Sequence, residues 1–271
     1  MNPVQILQHI YPAGEARAIY RMVMELRFGL SQADILMGKD KDLSAENLTE
    51  LQNIMHRLAN GEPVQYILRL AEFCGHKFHV EPGVLVPRPE TAELVNAVKS
   101  EPPGCTVLDI GTGSGCIAVT LALAGYRVTA IDISEQALSI ARRNAEDMDA
   151  DIEFVHENIL QPKIKDRQWD ILVSNPPYIC RSEAEDMHLN VLQHEPHLAL
   201  FVPDEDPLLF YKAIAEFGRT HLCPGGRIYL EINRRFGKQI CNLLKDKGYH
   251  NIRLLDDQFL NPRFIICTLP L

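Results

Sequence analysis

The chain has 271 residues, more than one typical domain of about 100 to 200 residues and fewer than three, which leaves room for one large or two unequal domains. Hydrophobic residues at 46% and charged residues at 23% sit near the globular average and exclude a disordered, collagenous or coiled-coil chain. With 27 basic against 36 acidic residues the net charge is −9, and no dense run of Lys or Arg forms the basic stripe that nonspecific duplex binding requires.

The opening residues Met1-Asn2-Pro3-Val4-Gln5 lack the basic and apolar blocks of a secretory signal. The longest apolar run, Cys116 to Ala124, is interrupted by Thr120 and is less than half of the roughly 20 residues that span a bilayer. Seven cysteines, odd in number, widely spaced and without a Cys-x-x-Cys pair, predict a reduced, cytoplasmic protein with no zinc ribbon. From residue 1 to 73 the pattern predicts a helical bundle. Asn2 can cap a helix with Pro3 at its first position, and Ser31 and Ser44 each precede runs with acids in the first turn. Ile19, Met22, Val23, Leu26 and Leu30 recur at three- and four-residue steps, as do Leu48, Leu51, Ile54, Met55 and Leu58. Across residues 74–90, the segments 77–80 and 84–86 alternate around Glu81-Pro82-Gly83, which predicts a β-hairpin linker.

Residues 91–271 alternate strand and helix in the order of a parallel sheet with crossover helices. Strands are expected at Thr106 to Ile110, Arg127 to Ile131, Ile152 to Val155, Asp170 to Ser174 and Arg227 to Ile232. Helices are expected from Ser114 to Ala124, Glu135 to Glu146 and Pro207 to His221, the last capped by Asp206. Two final strands, Asn251 to Leu255 and Arg263 to Thr268, are too close for a crossover helix and should pair antiparallel.

Three stretches carry chemistry. Val107-Leu108-Asp109-Ile110 runs into Gly111-Thr112-Gly113-Ser114-Gly115, a glycine-rich turn that frees backbone N–H groups and admits a ligand close to the chain. A dinucleotide fingerprint would place its third glycine at Cys116, whereas Gly-x-Gly-x-Gly after an acid favours S-adenosyl-L-methionine. Asp132, about twenty residues on, ends a strand where a carboxylate can accept both ribose hydroxyls; Ser134 is already a competent cap for the helix that follows. These two features predict an adenosine site without choosing between an oxidoreductase and a methyltransferase.

The choice falls to Ser174-Asn175-Pro176-Pro177-Tyr178, at the carboxyl end of the fourth strand, the edge where open α/β sheets bind ligands. The prolines cannot continue a central strand and stiffen a turn that aims the Asn175 side chain and Pro176 carbonyl outward. Both accept hydrogen bonds. A planar amide or exocyclic amine is a poor nucleophile; accepting both of its hydrogens aligns the nitrogen with a sulfonium methyl and favours the charge that develops. The Tyr178 ring can pack on the flat substrate group and tolerate nearby positive charge.

Over nearly its whole length the sequence resembles the PrmC/HemK protein-glutamine N5-methyltransferases. The markers are Gly61-Glu62-Pro63-Val64-Gln65-Tyr66-Ile67, Val86-Pro87-Arg88-Pro89-Glu90-Thr91, the glycine loop, Asn175-Pro176-Pro177-Tyr178-Ile179, Glu195-Pro196 and Leu230-Glu231-Ile232. Asn-Pro-Pro-Tyr is shared with adenine-N6 DNA methyltransferases; the Pro-Arg-Pro-Glu-Thr segment and the helical amino-terminal domain are more specific to the glutamine enzymes. The resemblance implies a Rossmann-like seven-stranded sheet of the class I S-adenosylmethionine-dependent methyltransferases with an amino-terminal helical substrate-recognition domain. It implies methylation of the glutamine in the Gly-Gly-Gln motif of class I peptide chain release factors; the net charge of −9 and the lack of a long apolar run predict no direct nucleic-acid or membrane partner. Carried over, Gly111 to Gly115 line the methionine part of the cofactor, Asp132 holds the ribose, and Asn158 and Asn175 complete the cofactor set. Asn175, Pro176, Pro177 and Tyr178 receive the glutamine, with Asn175, Pro176 and Tyr178 as the catalytic set, and Arg88 and Glu90 lie near the mouth. From sequence alone, an ion pair or a helix cap is an equal reading for Arg88 and Glu90.

Two departures stand out. Asn158-Ile159 replaces an acid and an aromatic near the adenine, so the Asn158 amide is left to bond the adenine edge. Asn233 replaces a glycine after Glu231-Ile232, a change expected to alter the loop without touching chemistry. His188, His194 and His197 do not have metal-ligand spacing, Ser182 with Glu185 reads as a capping box, and Cys180 reads as a small wall residue. Two rival readings stay open: an adenine-N6 nucleic-acid methyltransferase, and a binding module that keeps the cofactor fold without catalysis.

Overall fold

The computed structural model describes residues 3–187 and 189–271, which form two compact units. The first comprises residues 3–70, 80–82 and 189–194 and is helical. Ser31 and Ser44 cap helices Gln32–Leu36 and Ala45–Ala59, accepting from the N–H groups of Asp34 and Asn47 at 3.2 Å each. Ile19, Val23, Leu51, Ile54, Met55 and Leu58 close on a core shared with Leu7, Tyr20 and Met24. Met22, Leu26 and Leu48 belong to the same periodic stripes yet stay more than a third exposed, at the margins of the apolar face. Asn2 lies outside the described residues.

The second unit comprises residues 71–79, 83–187 and 195–271. Its hairpin is not where turn composition predicts it. Strands β1 (Ala71–Phe73) and β2 (His76–Phe78) pair antiparallel through Cys74-Gly75, both at positive φ, while Glu81-Pro82-Gly83 joins no strands. The remaining strands are β3 (Thr106–Ile110), β4 (Arg127–Asp132), β5 (Ile152–His156), β6 (Trp169–Ser174), β7 (Ile179–Cys180), β8 (Phe201–Val202), β9 (Leu222–Glu231), β10 (His250–Asp256) and β11 (Pro262–Thr268). Seven of them form one sheet in the order β10-β11-β9-β6-β3-β4-β5, parallel except for β11, which runs antiparallel to both neighbours.

Strand alternation sorts the side chains between two apolar layers. Val107, Ile171, Val173 and Tyr229 meet helices Pro89–Val98 and Cys116–Leu123 on one face. Leu108, Leu172, Ile228 and Leu230 meet helices Leu209–His221 and Gly237–Asp246 on the other. Helix Leu209–His221 starts later than the Asp206-Pro207 pair suggests, because the Asp206 carboxylate accepts from Lys212 Nζ at 2.7 Å instead of capping. The chain leaves β3 toward β4 and β5, then returns to place β6 on the other side of β3. The carboxyl ends of β3 and β6 therefore form a topological switch point, where the loops diverge and leave a crevice.

Candidate active site

The glycine loop leaves β3 at this switch point. Gly111, Gly113 and Gly115 have φ of 76°, 56° and 80°, and an added Cβ at Gly111 or Gly113 would meet only open space. Gly115 is different: helix Glu135–Asp147 packs against it, and a Cβ would lie 3.0 Å from that of Ala141. Asp132, at the end of β4, ties this region together. Its Oδ2 accepts from Gly113 N and its Oδ1 from Ser134 N, both at 2.9 Å, while Ser134 caps the following helix through Ala137 N. Burial pushes the Asp132 carboxyl up, against these two bonds. Asp132 lines the cavity, and a carboxylate oxygen can accept more than one hydrogen bond.

Asp109 shares the face of β3 that carries Val107 and is fully buried. Its Oδ2 accepts from Thr112 Oγ1 at 2.7 Å and its Oδ1 has no partner among the described residues. Burial in this apolar layer is the main reason that its carboxyl rises to about 7.

The turn 175–178 follows β6. Register pairs Ser174 with Leu230 of β9, so the next positions, Asn175 and Glu231, stand opposite each other on the face covered by helix Pro89–Val98. Asn175 Nδ2 donates to Thr91 Oγ1 at 3.2 Å, and Thr91 Oγ1 donates to Glu231 Oε2 at 2.7 Å. Tyr178 does not offer its hydroxyl to the cavity; it donates to Glu231 Oε1 at 3.1 Å, and the ring is absent from the cavity wall that Asn175, Pro176 and Pro177 share with the glycine loop. Burial raises the Glu231 carboxyl, and the two donors oppose that rise. Asn233 has a role that its sequence context did not suggest: its Nδ2 donates to Tyr178 O and to Glu183 Oε2, both at 3.0 Å, bracing the turn from behind.

Asn158 and Ile159 both line the cavity. Asn158 Oδ1 is taken by Leu160 N at 2.9 Å, so toward a ligand the side chain offers its Nδ2 donor, while buried Ile159 supplies an apolar surface in place of an aromatic ring. The preceding Glu157 escaped sequence reasoning; its buried carboxylate accepts from the N–H groups of Asn158, Lys163 and Ile164 and shapes this wall. Arg88 lines the cavity and resolves as an ion pair, its guanidinium 2.6 Å from Oε1 of buried Glu195, whose Oε2 accepts from Val86 N at 3.2 Å. Glu90 stands in the first turn of helix Pro89–Val98 and does not line the cavity. Ser182 is not a helix cap: Cys180 and Glu183 form the capping box of the 3-10 turn Arg181–Asp186, and Ser182 donates to Asp204 Oδ1 through Oγ at 2.7 Å. Cys180 is buried, which raises its thiol, and lies outside the cavity wall. Among the described residues no group of three or more His, Cys, Asp or Glu could hold a metal ion, and His188 lies outside them.

Open space over Gly111 and Gly113, a carboxylate at the next strand end and an apolar slot at Ile159 fit a bound S-adenosyl-L-methionine in its methionine, ribose and adenine parts. Residues 4–68 match the PrmC N-terminal domain family, and residues 88–198 match the Methyltransferase small domain family. A Bacteroides thetaiotaomicron protein named release factor glutamine methyltransferase is 49% identical over 265 residues, covering 96% of this chain and 95% of its own. The chain belongs to the release factor glutamine methyltransferase family. A Flavobacterium psychrophilum protein of the same name is 40% identical over 270 residues, 97% of this chain and 95% of its own. As a member of this family, the chain is an S-adenosyl-L-methionine-dependent methyltransferase. Its fold is also that of the crystal structure of a methyltransferase from Pyrococcus furiosus, at a TM-score of 0.57 and 19% identity, covering 81% of this chain and 99% of that one. Among the described residues no helix is long and apolar enough to cross a membrane.

Proposed function

We propose that this release factor glutamine methyltransferase transfers a methyl group to the side-chain amide nitrogen, N5, of the glutamine in the Gly-Gly-Gln motif of class I peptide chain release factors, and that it does so in the cytoplasm. One observation carries this reading: Asn175 stands in the wall of the cofactor cavity with Nδ2 bonded to Thr91, leaving Oδ1 as the acceptor on offer. A glutamine amide has two N–H hydrogens. Asn175 Oδ1 accepts one and the Pro176 carbonyl the other, so the nitrogen is held with its π lone pair directed along the line of attack. S-adenosyl-L-methionine, when bound, supplies the electrophilic methyl on a sulfonium sulfur. Pro176 and Pro177 keep the turn stiff, while Asn233 and Glu183 brace it from below. Gly111, Thr112, Gly113, Ser114, Gly115, Asp132 and Asn158 hold the cofactor, and Arg88, fixed by Glu195, borders the substrate entrance. The helical amino-terminal residues 3–70 recognise the release factor, and residues 91–271 carry out the transfer.

The test is Asn175→Ala. Since its bonds strengthen as charge develops on the nitrogen, kcat should fall by on the order of 10²- to 10³-fold, with cofactor Kd within about threefold of wild type. Undiminished turnover in steady-state assays with an intact release factor contradicts the assignment.

A further inference from the structure

We propose that Thr91 and Glu231 are positioning residues that determine which end of the Asn175 amide faces the substrate, a role that rests on the reading of Asn175 as the acceptor for the glutamine amide. The two ends of an asparagine amide are nearly identical in shape, so packing alone does not choose between them; the chemistry of the partner does. Here the choice is made two residues away. Glu231 is buried, and its carboxylate accepts on both oxygens, from Thr91 Oγ1 at 2.7 Å and from Tyr178 OH at 3.1 Å. A threonine hydroxyl has one hydrogen. With that hydrogen given to Glu231, Thr91 can only accept from Asn175, and the group it meets at 3.2 Å is Nδ2. The flipped amide would set two acceptors against each other and leave Thr91 Oγ1 without its donor. The order of donation is therefore fixed: Asn175 to Thr91, Thr91 to Glu231, Tyr178 to Glu231. Its result is an oxygen, not an amine, at the cavity wall.

The fold supplies the three residues from separate places that meet only in the folded chain. Asn175 follows β6, Glu231 ends β9 directly beside it, and Thr91 lies in the first turn of the helix that covers this face of the sheet. Thr91 lines the cavity beside Asn175 and Glu231 does not; both act on the substrate through the Asn175 side chain.

The pair Thr91→Val and Thr91→Ser separates orientation from packing. Thr91→Val keeps the volume and removes the acceptor, so kcat should fall about 10- to 100-fold with release-factor KM and cofactor Kd within about threefold. Thr91→Ser restores the hydroxyl and should return kcat to within about threefold of wild type. Turnover of the valine variant equal to wild type, a loss confined to KM, or a serine variant as slow as valine would each overturn the proposal. Cofactor Kd, measured by calorimetry on the same preparations, reports whether each variant is folded. Neutron diffraction from deuterated wild-type crystals supplies a readout that needs no substrate. Both amide deuterons of Asn175 should lie on the Thr91 side, and deuterons on the cavity side overturn the assignment. A wild-type enzyme that leaves release factors unmethylated while its Asn175 deuterons face Thr91 removes the substrate reading and supports the orientation.

Discussion

At the residue scale, two acids on neighbouring strands are set to different tasks by their surroundings. Asp132 sits at a strand end within reach of two backbone donors and the cavity, whereas Asp109 lies three residues before Thr112 in an apolar layer with one oxygen unpartnered. Asp132→Ala removes the proposed ribose acceptors and also the bond that holds Gly113, so cofactor Kd should rise by about 10- to 100-fold, as read by calorimetry. Asp109 predicts a pH effect on stability. Its folded value of about 7 lies above the ordinary 3.8, so the folded protein keeps a proton that the unfolded chain releases between those values. The stabilisation is present in full below about pH 4 and is lost as pH rises to about 7. Asp109→Asn retains an acceptor for Thr112 without titrating, so its stability relative to wild type should increase from pH 4 to 7 and level off above that. Denaturant unfolding at pH 5 and pH 8 checks this, and a constant difference between the two proteins contradicts it. Asn175, Asp132 and the glycines were legible in the sequence as cavity-lining candidates, because Asp132 ends β4 and the other two stand in short motifs directly after β6 and β3. Thr91, Glu231 and Asn233 were visible only as letters in flanking segments, since their work depends on the register of β6 against β9 and on a helix more than 80 residues away in the chain.

At the scale of elements, the glycine loop is constrained by the helix Glu135–Asp147 that packs against it. Gly115→Ala would combine a left-handed backbone at φ 80° with a Cβ 3.0 Å from that of Ala141. A cost of about 1 to 3 kcal/mol in unfolding free energy, with weakened cofactor binding, is expected by chemical denaturation and calorimetry. An unchanged midpoint contradicts the close approach. The strands of the sheet were readable to within a residue or two at most ends, because buried parallel strands are short apolar runs between turn residues. The start of β9 was missed by five residues, since Cys223-Pro224-Gly225-Gly226 has the composition of a loop although it continues the strand. The hairpin was misplaced for the opposite reason. Its two-residue turn requires positive φ at Cys74 and Gly75, and cysteine is not a usual signal for that conformation, whereas Glu81-Pro82-Gly83 carries turn chemistry without flanking strands.

At the scale of the whole molecule, charge separates the remaining readings. Adenine-N6 methylation shares the Asn-Pro-Pro-Tyr turn, but a net charge of −9 gives a nucleic-acid backbone little to bind. Adenine-containing oligonucleotides should neither bind at about 0.1 M salt nor acquire label from the cofactor, as filter binding and transfer assays would show; tight, salt-dependent binding would restore that reading. A module without catalysis would have no need of the fixed donor order around Asn175. In the proposed reaction this turn directs a methyl group onto a glutamine amide. Mass spectrometry of a class I release factor, incubated with the enzyme and S-adenosyl-L-methionine, tests it most directly. One added methyl is expected on the glutamine of the Gly-Gly-Gln peptide, formed on the order of 10²- to 10³-fold more slowly with Asn175→Ala; an unmodified peptide, or a methyl formed as fast by that variant, contradicts this reaction.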